Sequence, residues 1–313
     1  MLNVLSITFP IFASIALGYV IVARGVFKPA DMRVFGQYVL NIALPALLFN
    51  AVATRDVSKV FDPAYMTVFL IGGLVTIAVA YAWFTLRRVT ATRRAVAVMG
   101  TTCPNSGFVG YPMLLLLYPD LAGQVLALNM LVENFVLIPI SMVLIELGRS
   151  DVQIGLGTKL RGVLWDVVKR PMVLALAAGL LVSLSGLAIP APVGRWMGML
   201  AASASALSLF VIGGALVGVP LKGNRAVAGD IMLGKLVLHP AATAGVAMVL
   251  AAAGFGLAPE LWVAVVLSTA MPIFGIYPLF AQSAGHEGMA SLAQLGTTVG
   301  AFVTLNILLL VLL

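Results

Sequence analysis

The chain has 313 residues, 62% of them hydrophobic and only 9% charged, with a mean hydropathy of +1.11. Soluble domains carry about 25% charged residues, so this composition excludes a soluble globular protein and implies an all-α polytopic membrane protein. The net charge of +7 does not imply nucleic acid, because the basic residues stand in short connections between apolar runs, where membrane topology accounts for them.

Runs of about 20 apolar residues, enough to cross the hydrocarbon, occur near 3–23, 34–53, 64–86, 95–117, 121–147, 171–189, 194–219, 230–254, 259–282 and 289–312. They predict ten transmembrane helices. Met1-Leu2-Asn3 lacks the basic start of a secretory signal, and the first run is long enough to span, so it reads as mature structure. Connections on one side hold Arg24, Lys28, Arg33, Arg87, Arg88, Arg93, Arg94, Arg149, Lys159, Arg161, Lys169, Arg170, Lys222, Arg225 and Lys235. The other side holds only Arg55, Lys59 and Arg195. That asymmetry puts the first set in the cytoplasm and both termini outside, on the periplasmic face of an inner membrane.

The stretch TTCPNSGFVGYP, residues 101–112, interrupts the fourth span with two prolines and two glycines, residues that a helix interior disfavours. The ninth span carries a matching interruption, MPIFGIYP at 271–278. A shift of 161 residues pairs Pro10 with Pro171, Gly18 with Gly179, Gly25 with Gly186, Pro29 with Pro190, Leu48 with Leu209 and Phe49 with Phe210. At nearby shifts PNSG at 104–107 meets PIFG at 272–275, and Tyr111-Pro112 meets Tyr277-Pro278. Five spans is an odd number, so the second copy enters the membrane from the opposite side. The expectation is two inverted five-helix repeats, 1–147 and 171–313, joined by a cytoplasmic connection at 148–170. In that connection Leu160, Val163, Leu164, Val167 and Val168 recur at helical spacing beside Trp165, a pattern suited to a short interfacial helix or to a plain linker. Paired interruptions in inverted repeats mark a substrate site near the bilayer midplane, since bare backbone at that depth is tolerated only in a cavity or buried in protein.

NIALPALLF at 41–49, PNSGFVGYP at 104–112 and MPIFGIYP at 271–278 resemble the second, fourth and ninth helices of the auxin efflux carrier family. Bacterial members of that family include proteins assigned to malonate or other dicarboxylate transport. The resemblance implies a fold like that of bile acid/sodium symporters, with crossed broken helices 4 and 9. It also implies a scaffold of spans one, two, six and seven and a transport core of spans three to five and eight to ten, moving as an elevator. The short 148–170 connection fits a bacterial member rather than a plant one.

A broken helix presents amide donors and about half a positive charge at its new amino end, suited to a carboxylate. The candidate substrate-binding residues are therefore Pro104, Asn105, Ser106, Gly107 and Pro112 with Pro272, Gly275, Tyr277 and Pro278. Asn105 binds solute or caps the break. Ile273 and Phe274 stand where the first copy has polar residues, so the two halves are not chemically equivalent. Glu133 lies mid-span, where an ionised carboxylate is costly; with Asn129 one turn earlier and Asn134 adjacent it forms the candidate ion-coupling cluster, for a proton or for sodium. Lys235 and His239, four residues apart on the eighth span, could place positive charge near an anionic substrate, but Lys235 is expected to snorkel to the cytoplasmic interface and His239 to hydrogen-bond locally. Ser291, Gln294 and Thr298 form a polar face on the tenth span that lines a cavity or joins helices. Cys103 reads as an inert core residue, His286-Glu287 as a solvated turn, and Gly155-x-Gly157 follows no strand and does not indicate nucleotide binding. Two histidines and scattered acids give no metal site, cofactor or hydrolytic set, so no enzyme is expected. Ala202, Ser205, Gly213 and Gly214 on the seventh span could pack a scaffold homodimer or meet the second span within one subunit. The expected function is a secondary transporter of a small carboxylate across the lipid bilayer. A membrane metabolite sensor, a channel and an intramembrane enzyme are the rivals.

Overall fold

The structure, a computed structural model, describes residues 2–55, 61–148, 161–162, 165–219 and 224–313. Among them the secondary structure is helical, with one isolated antiparallel bridge and no strand. In chain order the helices are α1 (Leu2–Ala23), α2 (Pro29–Ala53), α3 (Pro63–Leu86), α4 (Ala91–Thr102), α5 (Ser106–Leu117), α6 (Pro119–Leu147), α7 (Pro171–Ser185), α8 (Ala191–Ala215), α9 (Arg225–Ala252), α10 (Pro259–Ala270), α11 (Tyr277–Gln282) and α12 (Glu287–Leu312). Among the described residues seven are long and apolar enough to cross a membrane, and α5, α7 and α10 are shorter apolar helices. The protein is a multi-pass membrane protein.

Several helices begin earlier than hydropathy predicts. The second span starts at Pro29 rather than 34, the fourth at Ala91 rather than 95 and the eighth at Arg225 rather than 230. Their first turns are polar, as in Pro29-Ala-Asp31, so an apolar scan misses them although proline at the first helical positions favours initiation. The predicted sixth span ends early instead, at Ser185, because Gly186 adopts φ 65° and closes the helix. Of the expected interfacial helix, Leu160, Val163 and Leu164 lie outside the described residues, as do Gly155 and Gly157. Trp165–Val168 are helical, with Val167 buried and Trp165 exposed.

Among the described residues, four helices widen into a π-turn, at Val39–Ala43, Ser106–Gly110, Glu133–Leu137 and Gly234–Leu238. Each turn ends two residues before a proline: Pro45, Pro112, Pro139 and Pro240. The missing proline N–H and the clash of its ring with the carbonyl four residues back are relieved by the wider turn. Glu133 opens the third of these turns, and Lys235 is the second residue of the fourth.

The chain divides into two compact units. The first comprises Met1–Pro63, Ser106–Met130 and Asp166–Gly218. Its packing is dominated by α1 against α8 and α7 against α2. A Cβ on Gly18 would collide with the Phe210 carbonyl, and one on Gly179 would lie 2.9 Å from the Phe49 carbonyl. These two contacts exchange under the 161-residue shift, which relates Gly18 to Gly179 and Phe49 to Phe210. Gly213 lies against the backbone of Ile15 and Gly214 against Met32 and Val22, so this pair is spent on α1 and α2 inside the unit. Of the other small residues on α8, Ala202 is exposed.

The second unit comprises Ala64–Asn105, Leu131–Trp165 and Val219–Leu313. Here Gly72 of α3 abuts Thr243 of α9, and Gly234 of α9 abuts Thr101 of α4. Arg87 at the end of α3 pairs with Asp230 of α9 at 3.2 Å. The division falls between Asn105 and Ser106 in the fourth predicted span and between Met130 and Leu131 in the fifth.

Candidate functional site

Within the second unit, α4 ends at Thr102 and α10 at Ala270. Cys103 (φ −85°, ψ 110°) and Met271 (φ −61°, ψ 152°) are extended, the conformation that a following proline imposes, and Pro104 and Pro272 follow them. The two breaks meet. Pro104 and Ile273 form the isolated antiparallel bridge, the Asn105 N–H donates to the Pro272 carbonyl at 2.8 Å, and the Phe274 N–H donates to the Cys103 carbonyl at 3.4 Å. Some of the backbone groups exposed by the interruptions are thus satisfied by each other. From α12, Gln294 Nε2 donates to the carbonyls of Gly275 (3.1 Å) and Phe274 (3.4 Å), and Thr297 Oγ1 accepts from the Ile273 N–H at 3.4 Å. The polar face of the last helix ties down the second break.

Asn105 and Pro272 are buried, Gly275 is exposed and Pro278 half-buried. Tyr277 is fully buried; its hydroxyl donates to the Val96 carbonyl at 3.0 Å, and a Cβ on Gly100 would lie 2.6 Å from its ring. That geometry gives Tyr277 the task of locking α11 onto α4. Tyr277→Phe should lower stability by about 1 kcal/mol, the net value of one such bond, read as a small fall in thermal unfolding temperature in detergent. Ser106, Gly107 and Pro112 belong to the first unit. There Ser208 Oγ donates to the Phe108 carbonyl of the π-turn at 3.1 Å, and Gly107 sits against Leu44.

Glu133 and Asn134 are each 3% exposed, and Asn129, one turn earlier on α6, is buried too. The expectation for Lys235 is overturned. The side chain does not snorkel; it is 0% exposed. Its Nζ donates to the Thr269 carbonyl at 2.7 Å and lies 2.9 Å from His239 Nδ1. The physical reason is a partner inside the fold: with α9 starting at Arg225, Lys235 lies ten residues, about 15 Å, along the helix, where the end of α10 offers its ammonium a carbonyl. Thr269 is the penultimate residue of α10, so the ammonium caps a carboxyl-terminal helix end, where a cation is favoured. Glu133 and Cys103 lie within electrostatic range of Lys235. The second unit therefore gathers a buried carboxylate, a buried ammonium and an imidazole beside two joined helix breaks. Among the described residues no cluster suits a metal ion.

Two broken helices joined through their backbones, with buried ionisable groups beside the join, describe a solute-handling membrane protein, and residues 4–309 match the membrane transport protein family. The chain belongs to that family, the auxin efflux carrier family that its motifs resemble. It is 27% identical to a Rhizobium meliloti (strain 1021) protein named "Putative malonate transporter" over 310 residues, 98% of this chain and 95% of the relative. It is 28% identical to "Uncharacterized transporter YfdV" of Escherichia coli (strain K12) over 239 residues, 74% of each chain.

Proposed function

We propose that this family member is a secondary transporter of a small organic anion, a malonate-like mono- or dicarboxylate, working in the inner membrane with both termini outside. In this reading ten spans form two inverted repeats, and the transport core holding Glu133, Lys235 and the joined breaks shifts as an elevator between two end states. The exchange of the Gly18–Phe210 and Gly179–Phe49 contacts under one sequence shift supports the duplication. One observation carries the functional reading: Pro104–Asn105 and Pro272–Phe274 are bonded across two interruptions beside a buried ammonium. Fixed dipoles and a desolvated cation suit a carboxylate. The Rhizobium meliloti relative's name, which gives malonate as substrate, points to the same class. Asn105 then contacts the solute from the first break, and Glu133 with Asn129 and Asn134 is the ion-coupling cluster.

The test is reconstitution into liposomes with a survey of labelled mono- and dicarboxylates. Malonate counterflow is the expected result; saturable binding without counterflow would make the protein a sensor, and uptake of only neutral or cationic solutes would remove the anion assignment. Asn105→Ala should lower the exchange rate about tenfold, the effect of roughly 1.4 kcal/mol from one lost polar contact. A raised KM with unchanged maximal rate would place the contact in the bound state.

A further inference from the structure

Lys235 and His239 form a buried, hydrogen-bonded pair of titratable groups for which carboxylate binding alone has no full use. Lys235 Nζ lies 2.9 Å from His239 Nδ1, and both residues are 0% exposed. The ionisable groups within electrostatic range of Lys235 from other segments are Glu133 of α6 and Cys103, the extended residue that follows α4; on α9 itself Lys235 meets His239. A hard metal cation is held by several oxygen ligands. Here the Thr269 carbonyl already accepts from the ammonium, whose charge opposes a second cation. A proton needs only a donor and an acceptor in contact. It can leave Nζ for Nδ1, breaking one N–H bond and making another, so that a neutral amine and an imidazolium result. The imidazolium then releases its other proton from Nε2. That atom is buried without a hydrogen-bond partner among the described residues, and so is Thr243 Oγ1, one turn further along α9. Two such atoms at helical spacing suit a bridging water that passes the proton on.

We infer that Lys235 and His239 form a proton-carrying pair, and that each turnover moves a proton in the same direction as the anion. The inference rests on the transporter reading above. The direction follows from linkage: an anion bound beside the pair favours its protonated state, and protonation reciprocally tightens anion binding.

The test uses the full chain in liposomes loaded with a pH-sensitive dye. External malonate in sodium-free buffer should acidify the lumen, and an imposed acid-outside gradient should drive accumulation of labelled malonate. Arginine keeps the charge but does not deprotonate in proteins. In Lys235→Arg the ratio of gradient-driven accumulation to malonate exchange should therefore fall about 5- to 150-fold, the usual span of a coupling free energy. His239→Gln should behave alike. Malonate exchange by the wild type without acidification, or accumulation that follows a sodium gradient, overturns the inference while leaving a transporter in place. No exchange with any carboxylate defeats the transporter reading instead. A variant that exchanges malonate with the wild-type ratio also overturns the inference, and if neither variant folds, the wild-type acidification decides.

Discussion

Lys235→Met should abolish malonate exchange and lower stability by about 1–3 kcal/mol, the cost of leaving a buried carbonyl without its donor. Methionine fills nearly the same volume, so the effect isolates the ammonium group, its charge and its hydrogen bonds together, from the packing of the stem. Without the ammonium, the Thr269 carbonyl at the end of α10 loses the donor at 2.7 Å, and the favourable electrostatic interaction between Glu133 and Lys235 is removed. Thermal unfolding in detergent, followed by tryptophan fluorescence, measures the loss. A double variant decides its origin. If Glu133 and Lys235 compensate each other, adding Glu133→Gln to Lys235→Met should restore about 1–3 kcal/mol relative to additivity, as expected for interacting neighbours. Strict additivity would mean that Lys235 acts through the α10 terminus alone.

The interruptions were legible in the sequence because their cause is local. A proline at 104 and another at 272 each impose an extended residue before them and remove an N–H, wherever the segment lies in the fold. The helical, membrane-spanning character was legible for the same reason, as a property of composition. What the sequence did not disclose was where the freed backbone groups go. The bond from Asn105 to Pro272 joins residues far apart in the chain, and no spacing rule anticipates it. Tyr277 reads as a solute contact from its place in the proline- and glycine-interrupted motif, yet Gly100 and Val96, on a distant segment, determine where its ring and hydroxyl go. The burial of Lys235 was not legible, because the Thr269 carbonyl that accepts its ammonium is brought there by the packing of α10, and a cation a few residues inside an apolar run otherwise reads as one that reaches the interface. The π-turns were readable only in part: a proline within a span signals relief of some kind, but the choice between a kink and a wide turn depends on the neighbouring helices.

Gly18→Val should prevent recovery of folded protein or lower its stability by about 3 kcal/mol or more, at or beyond the usual upper limit for overpacking. The obstacle is backbone rather than a side chain that could rotate away. A Cβ at Gly18 would run into the Phe210 carbonyl and approach the Gly214 amide, while Gly213 meets Ile15 in the reverse sense. At Gly18 and Gly213, helices α1 and α8 therefore approach too closely for a branched side chain, and in lipid such close packing, rather than hydrophobic burial, holds helices together. The duplicated contact supplies an internal comparison. Gly179→Val should be harmful but less so, because a Cβ there would lie 2.9 Å from the Phe49 carbonyl, a milder clash with backbone than the one at Gly18. Gly198, on α8 itself, has nothing within 4 Å of an added Cβ. Gly198→Ala should therefore raise stability by about 0.5–1 kcal/mol, the helix-propensity gain alone. The order Gly18→Val, then Gly179→Val, then Gly198→Ala in monodisperse yield and unfolding temperature is the expected result. Equal losses at Gly18 and Gly198 would show that any added bulk on these helices is harmful, and would remove the close α1–α8 approach as the cause.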